Sequence, residues 1–437
     1  MNIEKYNTYL NYLLCKYEIK NLNVEFLLEI LSIMIDFIEN NILQLMYLDL
    51  YDSIYNYTME LIEIKYINSC ILQDIYNLSQ EDTIKLVKIY IKMSLSFIFK
   101  YVIPKRSYNK SYIRSNKINY VKIDNQLEKL KSIIQPEQRS DEWYIFRNST
   151  LTASNIWKIF VSDYSQTQLI LEKCQPLDIN KFKVTNTNSP LHWGQKYEPV
   201  SILYYEYIHN TKVSEFGCIP HQDYTYIAAS PDGIICDGSS NLFGRMLEIK
   251  NVVSREITGI PKMEYWIQMQ IQMEVCDLNE CDFLETKFIE YESEEEYRED
   301  NNTEYKGVIL QYIKDESPYY IYAPFMLNNL DSEEYKKWEY EEKEKNKNLE
   351  LITTIYWKLI KISCVLVLRN KLWFKSIQPL IQIFWENLLE ERETGAYKER
   401  IKKKRKLSLE DAKNKSDFPK GGCLINPSLF NKHDILN

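Results

Sequence analysis

Histidine, glycine and proline are scarce in this chain of 437 residues, at 4, 10 and 13 copies. The histidines stand at positions 192, 209, 221 and 433 and form no cluster along the chain. The nine cysteines contain no C-x-x-C pair, so they read as reduced thiols of a cytosolic-type compartment. Long apolar runs are also lacking: Glu29, Asp36, Glu39, Lys92 and Lys100 interrupt the greasiest stretches before any reaches the roughly 18 residues of a membrane span. The N-terminus mixes charged and apolar residues from Met1 onward, unlike a secretory signal. These absences predict an intracellular protein that is neither secreted nor membrane-bound.

What is present is ordinary globular material, 45% hydrophobic and 27% charged, enriched in Ile, Asn, Lys and Tyr in the manner of AT-rich coding. The length predicts roughly two to three domains. The net charge of -8 argues against a protein that coats nucleic acid, while leaving room for a local basic channel. From residue 1 to 101 the apolar positions recur at three and four spacing, as in Phe26, Leu27, Ile30, Ile33, Met34 and Phe37, which predicts an all-helical N-terminal domain. Residues 102–125 read as a basic linker in which Lys105, Arg106 and Arg114, interleaved with tyrosines, are candidate DNA contacts. Residues 126–330 have a mixed helix and strand texture. Residues 331–398 read as a helical C-terminal extension, and 399–437, with Lys402 to Lys406, as a basic disordered tail.

The chemistry concentrates in the mixed segment. Ser230-Pro231-Asp232-Gly233 is followed, after a hairpin-sized gap, by Leu247-Glu248-Ile249-Lys250. Alternation along a strand points Glu248 and Lys250 to one face and Ile249 into the core, leaving the Ile249 carbonyl available to a metal. Hydrolysis of a phosphodiester needs an activated water and a sink for charge on the phosphate. A hard divalent ion held by an Asp and a Glu supplies both, and the lysine orients the water. An isolated E-x-K triplet is weak in a chain this rich in Glu and Lys, so the company it keeps matters. Upstream, Trp193-Gly194-Gln195-Lys196-Tyr197-Glu198 opens a helix that brings a third carboxylate. Earlier still, Arg139-Ser140-Asp141-Glu142-Trp143-Tyr144-Ile145-Phe146-Arg147 precedes Leu151-Thr152-Ala153-Ser154, and Arg147 with Ser154 could clamp a phosphate. Downstream, Tyr265-Trp266-Ile267-Gln268-Met269-Gln270 sits on a helix.

In this order the blocks resemble the lambda exonuclease and YqaJ-like viral recombinase family of PD-(D/E)-x-K nucleases, over about residues 138–272. The resemblance implies a restriction-endonuclease-like α/β (α+β) core, a central mixed sheet flanked by helices. It implies Asp232, Glu248 and the Ile249 carbonyl as ligands of one Mg2+, with Glu198 helping to hold a second, and Mn2+ as a substitute. It further implies Lys250 as the water-positioning lysine, Gln268 as the active-site glutamine with Gln270 near the DNA, and Arg147 with Ser154 as the clamp for a 5′ phosphate. The implied activity is 5′ to 3′ degradation of one strand from duplex DNA ends in viral-type recombination or repair, beside a single-strand annealing protein and as a homo-oligomer. A viral origin would put it in the host cytoplasm or nucleus. An endonuclease on the same fold, or a catalytically silent DNA-binding protein, are the alternatives.

Overall fold

The computed structural model describes residues 3–17, 23–68, 70–72, 77–109, 119–138, 140–179, 186–187 and 189–400. The chain divides into two compact units.

One unit comprises residues 1–107 with 370–377. Its described N-terminal elements are all helical. The helices Val24–Asn40, Leu50–Ile62 and Gln80–Tyr101 bury the apolar positions that recur along them, among them Phe26, Ile30, Met34, Ile54, Val87 and Ile91. Asn23 caps the first of these helices by accepting from the Phe26 N–H, and its own N–H donates to the Tyr90 hydroxyl at 2.8 Å. Arg106, a candidate DNA contact, instead turns its guanidinium onto the Met46 carbonyl and is half-buried. Lys105 is exposed, and Arg114 lies outside the described residues.

The second unit comprises residues 108–369 with 378–437. Its strands are β1 (Tyr108–Asn109), β2 (Leu151–Thr152), β3 (Val213–Ser214), β4 (Ile219–Pro220), β5 (Ile227–Ala229), β6 (Gly233–Ile235), β7 (Met246–Asn251), β8 (Glu280–Glu290), β9 (Lys306–Lys314), β10 (Ser317–Tyr322) and β11 (Glu350–Leu368). The main sheet runs β10-β9-β11-β8-β7-β6-β3, with β1 added on β11. The β7–β8 pair is parallel and the other pairs are antiparallel, so the sheet is mixed. A small second sheet, β2-β5-β4, pairs β2 and β5 in parallel.

Helices cover both faces of this mixed sheet. On one face Tyr205 of the Pro190–His209 helix packs with Leu247, Ile249 and Leu284. On the other, Tyr265 of the Met263–Val275 helix meets Phe283, with ring centroids 5.7 Å apart. Strand alternation enforces the division, because Glu248 lies beside Phe283 and Ile249 beside Leu284 in the parallel register.

Two expectations about extent need correction. The helical reading of 331–398 holds for Glu333–Lys345 and Lys371–Thr394, but Glu350–Leu368 between them is a strand of 19 residues. Its run of Ile352, Thr353, Thr354, Ile355, Tyr356 and Trp357, and then Ile360, Ile362, Val365 and Val367, is β-branched and aromatic material that suits a pleated surface. Because β11 lies between β9 and β8, the core continues well past residue 330. The 102–125 segment is likewise partly structured: β1 pairs with β11, and Tyr120 opens a helix that runs to Ser132. Strands β9 and β10 form a hairpin turned by Asp315 and Glu316, both at positive φ, and its partner is β11. Residues 401–437, including the Lys402 to Lys406 run, lie outside the described residues.

Candidate active site

Glu248 is the centre of the candidate site. Its carboxylate is fully buried and engaged at both oxygens. Lys250, two residues along the same face of β7, donates to Oε1, and Gln272 Nε2 donates to Oε2 at 2.7 Å. The same Gln272 amide reaches the Ser230 carbonyl at 3.2 Å, so one side chain ties the S-P-D-G turn to the glutamate. Asp232, at the start of β6, accepts the Ile249 N–H at 2.6 Å. The N–H and C=O of a strand residue point the same way, and β6 pairs with β7 only as far as Gly233 and Leu247. The Ile249 carbonyl therefore opens on the Asp232 side, while its side chain is buried in the core.

Electrostatics single out this cluster. Burial pushes the Asp232 carboxyl well above the usual carboxylate range, and the nearby charges of Glu248 and Glu198 push it further, against Lys250 and the Ile249 N–H. Burial opposes the charge on Lys250, but Glu248 and Asp232 override it and hold the ammonium above its ordinary range. Glu198 is half-buried on the Pro190–His209 helix, which Ser189 caps at its start. Glu248 and Asp232 thus share the Lys250 ammonium with Glu198 near Asp232, and among the described residues the buried Gln272 Oε1 has no donor. Repelling carboxylates, a strand carbonyl and an unmatched amide oxygen are an all-oxygen donor set, which fits a hard divalent cation.

The second group is Arg147 and Ser154. Arg147 Nη2 donates to Ser154 Oγ at 3.3 Å, and the guanidinium lies 4.5 Å from the centre of the Trp143 ring. The buried Lys173 ammonium donates to the Arg147 carbonyl at 2.5 Å, and burial lowers its pKa to about 8. Register connects this group to the acids: Thr152 lies beside Ala228 in the parallel β2–β5 pair. The chain leaves β2 toward Ser154 and leaves β5 toward Ser230 and Asp232, in the same direction.

The glutamine helix divides its residues. Gln268 is half-buried and Gln272, one turn on, makes the contact to Glu248. Gln270 corrects an expectation: it is 1% exposed and donates to the Leu368 carbonyl at 2.9 Å, so it braces β11 and has no surface to offer DNA. Sequence reasoning missed Gln272, although its i+4 spacing from Gln268 was a usable signal. His192 is buried, its Nε2 2.6 Å from the Tyr320 hydroxyl, in keeping with a packing role.

Residues 142–279 match the profile of the YqaJ-like viral recombinase domain. The matched stretch, about a third of the chain, is similar to that domain and contains Arg147, Ser154, Glu198, Asp232, Glu248, Lys250, Gln268 and Gln272. A curated relative, an uncharacterized protein of Acanthamoeba polyphaga mimivirus, is 32% identical over 66% of this chain, and the match spans 58% of that relative's length. Among solved structures, an alkaline exonuclease from Laribacter hongkongensis is 18% identical, with a TM-score of 0.34 over 60% of this chain and 98% of that one. The same exonuclease in complex with dAMP matches at 19% identity and a TM-score of 0.35, over the same shares. Among the described residues, no helix is long and apolar enough to cross a membrane.

Proposed function

We propose that the YqaJ-like domain is a metal-dependent DNA nuclease, and that it acts as a 5′ to 3′ exonuclease on duplex ends in recombination or repair. The observation that carries this reading is the meeting of Asp232, Glu248 and Lys250 under the added charge of Glu198. Asp232, Glu248 and the Ile249 carbonyl would hold one Mg2+ and Glu198 would help hold a second, with Mn2+ able to replace either. The ions, once bound, supply a Lewis acid for the phosphate oxygens and a water of lowered pKa.

The chain's own groups do the rest. Lys250, held as an ammonium, donates to the attacking oxygen and fixes its line of approach. Gln272 keeps the Glu248 carboxylate from rotating, and Gln268 faces the scissile phosphate. Arg147 and Ser154 bind the terminal 5′ phosphate, with the Trp143 face holding the guanidinium in place. Duplex DNA ends are the proposed substrate, and an annealing protein and further copies of this chain the proposed partners, all inside the cell.

The test is cleavage of linear duplex DNA, 5′-phosphorylated or not, beside a closed circle, with Mg2+ or with chelator. Loss of the phosphorylated strand from the linear duplex alone, abolished by Lys250→Ala, is the expected result. Cutting of the circle would make the protein an endonuclease, and absence of cleavage by folded parent protein would leave a binding role.

A further inference from the structure

The face of the sheet opposite Glu248 carries a second set of donor atoms. Asp282 on β8 and Cys364 on β11 lie on one face, because Cys364 stands beside Leu284 and Asp282 beside Leu366 in the antiparallel register. His209, the last residue of the Pro190–His209 helix, comes down on the same face. One donor atom from each of His209, Asp282 and Cys364 lies within 4.8 Å of the others. These residues are separated by 73 and 82 positions, so no spacing along the chain announces them.

We propose that His209, Asp282 and Cys364 form a binding site for one borderline divalent transition ion of the zinc class, distinct from the oxygen site around Glu248. A nitrogen, an oxygen and a sulfur donor suit zinc or cobalt and disfavour magnesium, which wants oxygen alone. Tetrahedral zinc, with bonds of about 2.0–2.3 Å, separates its ligand atoms by roughly 3.3–3.7 Å, so the three groups need to close by about 1.5 Å at most. The surroundings are built for it. Tyr205 donates to Asp282 Oδ2 at 2.7 Å and packs its ring 4.4 Å from that of His209, fixing both the carboxylate and the imidazole.

Arg245, fully buried, donates to Glu280 at 2.8 and 3.2 Å and to Asp282 at 3.4–3.5 Å, so the two carboxylates share its guanidinium. Cys364 would ligate as the thiolate, so ion binding forms a metal–sulfur bond and releases the Cys364 proton to solvent. The bound ion would join the end of the helix carrying Glu198 to β8 and β11, the two strands at the middle of the sheet.

Cobalt titration of metal-stripped full-length protein tests this directly. One equivalent of Co2+ should give a near-ultraviolet thiolate-to-metal band with visible bands of four-coordinate strength. Zn2+ should bleach both, and a large excess of Mg2+ neither. Glu248→Gln, on the opposite face of the sheet, should retain the near-ultraviolet band. Cys364→Ser should abolish it, and His209→Ala, at a half-exposed helix end, should weaken Co2+ binding by roughly 10–100-fold with the fold intact by circular dichroism. No thiolate band in the folded parent, or a band that survives Cys364→Ser, would overturn the proposal.

Discussion

The two faces of the central sheet each bury a carboxylate, and they treat it differently. Glu248 is held by a lysine and an amide, and Asp232 beside it feels the charges of both Glu248 and Glu198. Asp282 shares an arginine and accepts a tyrosine hydroxyl, beside a histidine and a cysteine. The lesson is that donor type decides what a buried carboxylate can do. An all-oxygen cluster attracts hard ions that exchange with substrate, and a mixed cluster tied to a buried ion pair favours a resident ion and rigidity.

Mutations can break this contrast. Lys250→Ala should lower metal-dependent cleavage by roughly 10²–10⁴-fold, measured on end-labelled duplex, with little change in Co2+ spectra. A comparable loss from Cys364→Ser would instead merge the two faces into one functional unit. Arg245→Met leaves the buried Asp282 and the half-buried Glu280 without this cation and should cost about 3–5 kcal/mol in urea unfolding. Gln272→Met frees Glu248 Oε2 and the Ser230 carbonyl, and should weaken Mg2+ or Mn2+ binding by roughly 10–100-fold in calorimetry, with Gln272→Glu failing to restore it because a second carboxylate repels the first. The smallest effect is expected of Gln270→Met, which should cost about 1–3 kcal/mol of stability through the orphaned Leu368 carbonyl and leave DNA affinity unchanged.

Much of this site could be read from the sequence because short-range periodicity determines it. Glu248 and Lys250 share a strand face by alternation alone, and the block from Tyr265 to Gln270 lies on a helix, Met263–Val275. The misses come from relations that period does not encode. Gln268 and Gln270 read as a pair in the Y-x-x-Q-x-Q block, but residues two apart on a helix are turned about 200° from one another. Gln270 therefore faces β11, while Gln272, a full turn on from Gln268, returns to the same side of the helix and meets Glu248. The strand β11 was missed for a different reason: its charged prelude, Glu339 to Lys347, has helical spacing, and nothing local marks where that period gives way to the β-branched run after Glu350. The His209, Asp282 and Cys364 group depends on pairing between strands far apart in sequence, which one chain read alone does not disclose.

The place of β11 also bears on how the protein is made. Strands β8 and β9 have no partner on their shared side until residues 350–368 are available, since β11 fills the gap between them. During synthesis the chain through β9 therefore leaves the ribosome with two open strand edges before the segment that closes them emerges. Closure joins contacts of high sequence separation, a slow step by its nature, and the nascent chain is most exposed to aggregation and to chaperones in that interval.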